Sequence, residues 1–294
     1  MKSLFSNKKT IAALVAPGIG IMLFAIAIPL VISLYLSFFK WTGYGPMEFI
    51  GYENYTRIAK DRIFWRSLYN VLLLIVITIG IQNVFAFFIA SLVKKLSVKT
   101  SQILRTVFFI PATLSLVVVT RLWVIIFHPS IGMLNRIIQS LGFTNFEIAW
   151  LGNPNTAIWA VIWIMIWQGF GWALLFLYGG LMTVPRELEE AALVDGVNTL
   201  QMQRYVVLPS MMPVIQAVVT IGVISSFKQM EMIFLSTEGG PGGTTQFLAN
   251  YLYVRAFKFG EYGYGNAISV LVVLIAILAT VLIQRLFKKS LENF

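Results

Sequence analysis

The sequence predicts an all-α membrane protein with six transmembrane helices, and its composition and hydropathy both indicate this fold class. Hydrophobic residues make up 58% of the 294 residues and charged residues only 12%, whereas roughly a quarter of an average soluble domain is charged. The mean hydropathy is correspondingly high, at +0.82. A soluble core of this length could not bury so much apolar surface beneath a polar exterior. A soluble globular enzyme is therefore excluded.

Six apolar stretches are long enough to cross a bilayer, for which a helix needs about 20 residues. In chain order they are Ile11–Phe39, Ser67–Val93, Ile103–Phe127, Ala157–Val184, Val206–Leu235 and Tyr264–Phe287. We expect the first stretch to stay in the membrane, because it is longer than the apolar part of a cleaved signal peptide. Neither a repeat nor a low-complexity linker divides the sequence, which predicts one membrane domain over residues 1–294.

The distribution of Lys and Arg predicts that both termini lie in the cytoplasm. In that orientation twelve of the 22 Lys and Arg residues are cytoplasmic and eight are external, as the positive-inside rule requires. The cytoplasmic ones are Lys2, Lys8, Lys9, Lys94, Lys95, Lys99, Arg105, Arg186, Arg204, Arg285, Lys288 and Lys289. The segment Lys40–Arg66 argues for the opposite orientation, because five of the eight external charges lie in it.

The loop 185–205, between the fourth and fifth stretches, predicts two short helices joined by a turn. Pro185 suits the first position of a helix, and the glutamates that follow it face the positive end of the helix dipole. Gly196 can adopt the left-handed conformation that ends a helix. The second helix is expected over Thr199–Val206. With both termini inside, the two helices lie on the cytoplasmic face.

The same loop carries a recognisable spacing of residues. In chain order the matching residues are Glu190, Ala191, Ala192, Gly196, Val206, Leu208 and Pro209. The spacing resembles the EAA signature of the membrane subunits of ABC importers, which is EAA, three residues, G, nine residues, I or V, one residue, then LP. The resemblance implies a cytoplasmic coupling helix that docks on a separate ATPase, in agreement with the orientation predicted from charge.

The resemblance also implies roles for five residues of the coupling helix. Glu190 or Asp195 would form an ion pair with a basic residue of the ATPase. Ala191 and Ala192 would permit close approach, and Gly196 would supply the turn. The ATPase would also bind the ATP and Mg²⁺, because this sequence lacks the Gly-x-x-x-x-Gly-Lys-Ser/Thr loop that holds phosphates.

The last part of the sequence resembles the permeases of type I sugar importers, such as those for maltose and glycerol phosphate. The matching residues are Ser236–Pro241, Thr244, Thr245, Tyr251, Ala256, Phe257, Tyr264 and Gly265. The resemblance implies a carbohydrate substrate and a place in a bacterial or archaeal cytoplasmic membrane. The assembly would contain a second, different permease chain, a dimer of ATPase subunits and an extracytoplasmic solute-binding protein.

Side chains for enzyme chemistry and metal binding are scarce in this sequence. It has no cysteine and one histidine, His128, which excludes disulfides, thiolate metal sites and histidine clusters. The net charge of +10 is explained by cations that flank membrane spans, so nucleic acid is not expected as a partner. The prediction is a transport subunit that is not an enzyme and has no cofactor of its own.

Two polar clusters within the spans are candidates for the substrate path, because polar groups are expensive in lipid. Each cluster places an amide close to small or aromatic residues that could contact a sugar. The candidates are Gln168, Gly169, Trp172, Ser226, Lys228 and Gln229. The alternative for both clusters is helix packing. Lys228 hints at an acidic sugar; its own alternatives are a snorkelling lysine or a pair with Glu231, three residues further on.

Two other transport functions are consistent with parts of the sequence. An ABC permease for a non-sugar solute is permitted by the EAA spacing alone. An ion-coupled secondary transporter is the second alternative, and such carriers usually place ionisable residues in the middle of the bilayer. Here Arg121, Lys228 and Glu231 lie toward one end of their spans, which favours import driven by ATP.

Overall fold

The computed structural model describes the backbone of residues 8–292 and the side chains of residues 11–287. Most of this range is helical. The α-helices are α1 (Lys8–Met22), α2 (Ile28–Leu36), α3 (Glu53–Lys60), α4 (Arg62–Ile77), α5 (Asn83–Lys94), α6 (Val98–Thr113), α7 (Leu116–Ile126), α8 (Met133–Ser140), α9 (Ala157–Met182), α10 (Arg186–Val194), α11 (Thr199–Gln201), α12 (Leu208–Ser210), α13 (Met212–Lys228), α14 (Glu231–Ser236), α15 (Leu248–Tyr253) and α16 (Tyr262–Glu292).

Short π-helical stretches and one small ribbon complete the described structure. The π-helical stretches are π1 (Leu23–Ala27), π2 (Thr78–Gln82), π3 (Met202–Val207) and π4 (Val254–Lys258). Strands β1 (Phe39–Lys40) and β2 (Glu48–Phe49) pair antiparallel, with Phe39 opposite Phe49. Phe39 therefore lies outside the first helix. Of the charges used for orientation, Lys2 lies outside the described residues, and only the backbone is described for Lys8, Lys9, Lys288 and Lys289.

Four helical segments in the described range are long and apolar enough to cross a membrane. They are Ile11–Leu36, Arg62–Lys94, Ala157–Met182 and Tyr262–Phe287. Two further pairs of helices have the required length and composition together but are bent by 93° and 72°. The described chain thus offers four spans, or up to six if each bent pair counts as one. The membrane character is established, and the count of six stays a prediction.

The predicted span Ile103–Phe127 is not one continuous helix in the structure. Helix α6 ends at Thr113, and α7 starts at Leu116 at an angle of 93°. Pro111 has no amide hydrogen to continue the helical ladder. Leu114 then adopts extended backbone, with ψ of 147°. The proline and this extended residue account for the bend.

The fifth predicted stretch, Val206–Leu235, is interrupted twice. A bend of 72° separates Ser210 from Met212, where Pro213 lacks the amide hydrogen that an unbroken helix would donate to the residue four positions earlier. Helix α13 then ends at Lys228, and Gln229 is extended, with ψ of 112°. Hydropathy does not detect such interruptions, because the residues on both sides remain apolar.

The described residues cluster into two compact units. One comprises Met1–Asp61 and Leu252–Leu274, and its buried centre is Tyr264. The Tyr264 hydroxyl donates to Asp61 Oδ2 at 2.6 Å, and the Arg57 guanidinium lies 4.1 Å from the centre of the ring. Glu261 accepts a hydrogen bond from Arg57 at 2.8 Å and is paired with Arg255 at 2.8 Å. These contacts hold α3 beside the start of α16.

The other unit comprises Arg62–Tyr251 and Ile275–Phe294, and α9 is its central helix. Ala86 and Ala90 of α5 are fully buried in a core that includes Leu174 and Leu177 of α9. Gly171 lets α9 approach α6 closely, because a Cβ there would lie 2.7 Å from the Phe109 Cα. Small residues at helix contacts are typical of packing in membranes. The prediction of one domain for the whole chain stays a prediction.

A buried amide fixes the loop that follows α14. The Asn70 side chain of α4 donates to the carbonyl oxygens of Thr244 and Gln246, both at 2.8 Å. Asn250 in turn donates to Gln246 Oε1 at 2.7 Å. Asn70 is only 1% exposed, so water cannot replace it as the donor. The loop is thereby tied to the helical body of its unit.

We expect Asn70→Asp to lower the melting temperature of the purified chain in detergent. The substitution keeps the size of the side chain but removes both N–H donors, and leaving buried carbonyls unsatisfied costs about 1–3 kcal/mol. Asn145→Asp is the matched control, because Asn145 is exposed. Equal melting temperatures for the two variants would show that the Asn70 amide does not stabilise the loop.

Candidate functional site

A cavity of about 430 Å³ lies among α4, π2, α9 and α13. Most of its wall is apolar, with aromatic faces from Trp172 and Phe176. Polar side chains enter it from two sides, from the π2 region and from the end of α13. They are Thr78, Gln82, Asn83, Ser225, Ser226 and Gln229. A small number of polar groups in an apolar cavity is the usual composition of a binding site for a small molecule.

A second cavity, of about 520 Å³, shares Gly169, Trp172 and Gln229 with the first. Its lining also includes Gln168 and Lys228. The structure therefore brings the six residues predicted for the substrate path to two adjoining cavities. Their contact with a substrate stays a prediction.

The predicted polar residues differ in how far their hydrogen-bonding capacity is already used. The Ser226 hydroxyl donates to the Gly222 carbonyl oxygen at 2.8 Å, within its own helix. Gln168 reaches the Leu114 carbonyl oxygen at 3.4 Å. Within residues 11–287, no salt bridge joins Lys228 to Glu231. The spacing of three residues does not bring them together, because α13 ends at Lys228.

The polar residues of the second span were not predicted from the sequence to face a cavity. Gln82 closes π2 and is 7% exposed, and Asn83 follows it with a buried Nδ2 that has no hydrogen-bond partner among the described residues. A π-helical turn adds a residue to the helix and shifts the face that later side chains occupy. The detectable signal was a run of polar residues inside an apolar stretch, at Thr78, Gln82 and Asn83.

Two neighbouring glycines of α9 have different surroundings. A Cβ at Gly169 would lie 3.3 Å from Gln82 Nε2, the end of a flexible side chain. A Cβ at Gly171 would instead meet the backbone of Phe108 and Phe109. Gly169 therefore adjoins the cavity, whereas Gly171 serves the packing of α9 against α6.

We expect Gly171→Ala to reduce the thermal stability of the chain and Gly169→Ala to leave it close to wild type. Overpacking against backbone typically costs about 1–3 kcal/mol, while a flexible glutamine can move by the few tenths of an ångström required. Melting in detergent compares the two variants directly. Equal loss of stability in both would contradict the separate surroundings assigned to them.

The loop 185–205 contains the predicted helices and turn. Helix α10 ends at Val194, and Gly196 has φ of +77°, a conformation that glycine adopts far more readily than other residues. Asn198 and Gln201 form a capping box at the start of the next helix. One detail of the prediction was wrong: Pro185 is extended, with ψ of 133°, and precedes the helix as its N-cap.

Four of the five predicted coupling residues are exposed. Glu190, Ala191, Asp195 and Gly196 lie on the surface of the described unit. Ala192 is 8% exposed, so its side chain packs into the body of the chain and not on the exposed face. Sequence alone could not distinguish the two alanines, because the direction of each depends on how α10 lies on the spans. The docking role of these residues stays a prediction.

Among the described residues, no group of three or more His, Asp or Glu side chains is arranged to hold a metal ion. The described linings of the two cavities provide amides, hydroxyls, aromatic faces, one lysine and the carboxylate of Glu231. Such groups bind and orient a polar solute through hydrogen bonds and stacking.

Comparison with known proteins identifies relatives that span nearly the whole chain. The sequence pattern of the family described as "Binding-protein-dependent transport system inner membrane component" matches residues 82–292. The sulfoquinovosyl glycerol transport system permease protein SmoG of Agrobacterium fabrum is 31% identical over 277 residues, covering 94% of this chain and 89% of SmoG. The arabinooligosaccharides transport system permease protein AraP of Bacillus subtilis is 32% identical over 289 residues, covering 96% and 90% of the two chains.

A solved structure shows the same fold. One chain of a bacterial alginate ABC transporter, in complex with an alginate pentasaccharide-bound periplasmic protein, superposes with a TM-score of 0.82. The match covers 96% of this chain and 94% of that one, at 21% sequence identity. At this identity the likeness concerns the path of the backbone.

Proposed function

Because this chain belongs to the family of binding-protein-dependent transport system inner membrane components, which are the permeases of ABC transporters, we propose that it forms the translocation path of an ATP-driven carbohydrate importer. The observation that carries the proposal is the loop 185–205, where the EAA spacing coincides with an exposed helix and a glycine turn. A carbohydrate substrate is supported by SmoG and AraP, whose names describe transport of sugar-containing solutes.

The proposed assembly contains this chain and a second, different permease in a cytoplasmic membrane of a bacterium or archaeon. Two ATPase subunits bind ATP and Mg²⁺ beneath the membrane, and an extracytoplasmic binding protein delivers the substrate. Both termini lie in the cytoplasm, which places α10 on the same side as the ATPases. The excess of twelve Lys and Arg inside over eight outside supports this orientation.

In this proposal α10 is the coupling helix. Glu190 and Asp195 are exposed and carry negative charge toward the ATPase, where basic residues can pair with them. Ala191 leaves room for close approach between the two proteins. Gly196 ends the helix in a conformation that strains any residue with a side chain. When the ATPases close on ATP, α10 moves with them and the spans follow as a rigid body.

The two adjoining cavities form the substrate path in this proposal. Trp172 presents an aromatic face on which a sugar ring can stack, and Gln82 and Gln229 offer amides to its hydroxyls. Lys228 and Glu231 both line the second cavity, without an ion pair between them, and Lys228 supplies a positive charge for an acidic sugar. A solute other than a sugar is the alternative; it would use the same amides but not the aromatic stacking.

We expect an ATPase with a phosphate-binding loop, a second permease and a binding protein to co-purify with the tagged chain from its host in mild detergent. Glu190→Lys and Gly196→Asp should lower the recovery of the ATPase roughly tenfold, which corresponds to about 1.4 kcal/mol, and leave the second permease in place. Glu187→Lys, an exposed change in the same helix, is the control. Wild-type chain that purifies without any ATPase would refute the importer.

We expect Trp172→Ala and Gln229→Ala to lower uptake of the sugar found on the co-purifying binding protein. Loss of an aromatic contact worth about 1 kcal/mol corresponds to roughly fivefold. The ATPase should remain bound, because neither residue lies in the loop 185–205. Trp159→Ala is the matched control, since this tryptophan belongs to the same helix but lines a different cavity. Unchanged uptake in both cavity variants would remove these residues from the substrate path.

A further inference from the structure

An ion pair joins the end of the second span to the start of α10. Lys94 Nζ donates to Glu189 Oε1 at 2.7 Å, and each side chain is 27% exposed. Glu189 precedes the EAA residues and Lys94 ends the second span, and the sequence predicted no contact between them. The contact connects two elements that are 95 positions apart in sequence.

The position of each charge on its helix favours this pair. Lys94 is the last residue of α5, where a positive charge stabilises the negative end of the helix dipole. Glu189 lies in the first turn of α10, where a negative charge stabilises the positive end. The pair therefore joins two helix ends of opposite polarity, and reversing either charge weakens both the pair and its own helix.

The other end of α5 lies at the substrate cavities. Helix α5 starts at Asn83, directly after Gln82 of π2, and both residues line the first cavity. Twelve residues in α5 correspond to about 18 Å at 1.5 Å per residue. Ala86 and Ala90 hold the helix against α9 along this length. A displacement of Lys94 is therefore carried to Gln82 and Asn83 by one short, packed helix.

We propose that Lys94 and Glu189 are positioning residues whose ion pair passes the movement of α10 to the cavity wall through α5. The proposal rests on the proposed function, since it needs an ATPase that moves α10. It goes beyond docking, because neither residue has to touch the ATPase or the substrate. The pair is a direct side-chain contact between α10 and the helix that follows π2.

The neighbouring charges provide matched controls. Lys95 is adjacent to Lys94, and both residues line a cavity of about 490 Å³ beside α10. Lys95 forms no salt bridge among the described residues. Glu187 lies in the first turn of α10, as Glu189 does, and is exposed. Lys95→Glu changes the net charge by the same amount as Lys94→Glu, and Glu187→Lys by the same amount as Glu189→Lys. Neither control substitution alters a residue of the ion pair.

The test measures whether the cavity responds to nucleotide. The chain has no cysteine, so Thr78→Cys places a single thiol on the cavity wall. The complex isolated through the tagged chain is labelled with N-ethylmaleimide, either nucleotide-free or trapped with ATP, Mg²⁺ and vanadate. We expect the labelling rates of these two states to differ about fivefold or more, the lower end of typical coupling between sites.

Lys94→Glu and Glu189→Lys should each abolish this difference, although the ATPase remains bound and hydrolyses ATP. The double charge swap should restore it to within about twofold of the starting protein, because the pair is re-formed with opposite polarity. Lys94→Arg should preserve the difference, as should Lys95→Glu and Glu187→Lys. A role in stability alone would instead change melting temperature and leave the response to nucleotide intact.

Three outcomes overturn the proposal. Single reversals that keep the nucleotide response show that the pair passes no movement. A double swap as defective as the worse single variant shows that Glu189 or Lys94 acts through another partner or through the end of its own helix. Single reversals that release the ATPase show that the residues serve docking. Wild-type complex without any ATPase is a different failure, since it refutes the importer itself.

A crosslink tests the rigidity of the contact independently of charge. The variant for this experiment carries Lys94→Cys and Glu189→Cys, and position 78 remains threonine. A short bismaleimide should then join the two cysteines and so link α5 to α10. We expect vanadate trapping of nucleotide to proceed after crosslinking, because the two elements move together. A crosslinked complex that no longer traps nucleotide would show that the contact opens during the cycle, against the proposal.

Discussion

The packing of α9 against α5 and α6 is the contact on which the second unit depends. Lipid is as apolar as the helices, so association in the membrane relies on close van der Waals packing. Gly171 lets the backbone of α9 lie close to the backbone of α6. The small, buried side chains of Ala86 and Ala90 let α5 pack against α9. Because the residues at these contacts are small, the bulky and polar side chains of the same helices can line the cavities.

Interruptions of regular helix determine where polar groups enter those cavities. The π2 stretch turns Gln82 and Asn83 toward the first cavity, and the end of α13 leaves Lys228 and Gln229 at the second. At the end of α13, where regular helical hydrogen bonding stops, the backbone would be costly if lipid surrounded it. Here it borders a cavity that polar solutes can occupy. The irregular segments are therefore the parts of the spans best suited to contact a substrate.

Sequence alone was sufficient for features governed by local chemistry. Apolar composition predicted the membrane, and Gly196 predicted the turn after α10, because left-handed backbone favours glycine. Features that hydropathy does not register were missed. The bend after Thr113 follows apolar residues that hydropathy treats as one helix. The burial of Ala192 depends on which side of α10 meets the spans. The inward turn of Gln82 depends on one added residue in π2.

In the proposed importer, the location of charge bears on how energy reaches the substrate. The first cavity has no ionisable side chain in its described lining, whereas Lys228 and Glu231 line the second. The charged residues that join elements of the second unit lie instead at the end of α5 and on α10. In the proposed importer, energy delivered at that end reaches the cavity through the positions of helices. The chain contributes stiffness to this transmission, which α5 has because small residues hold it against α9.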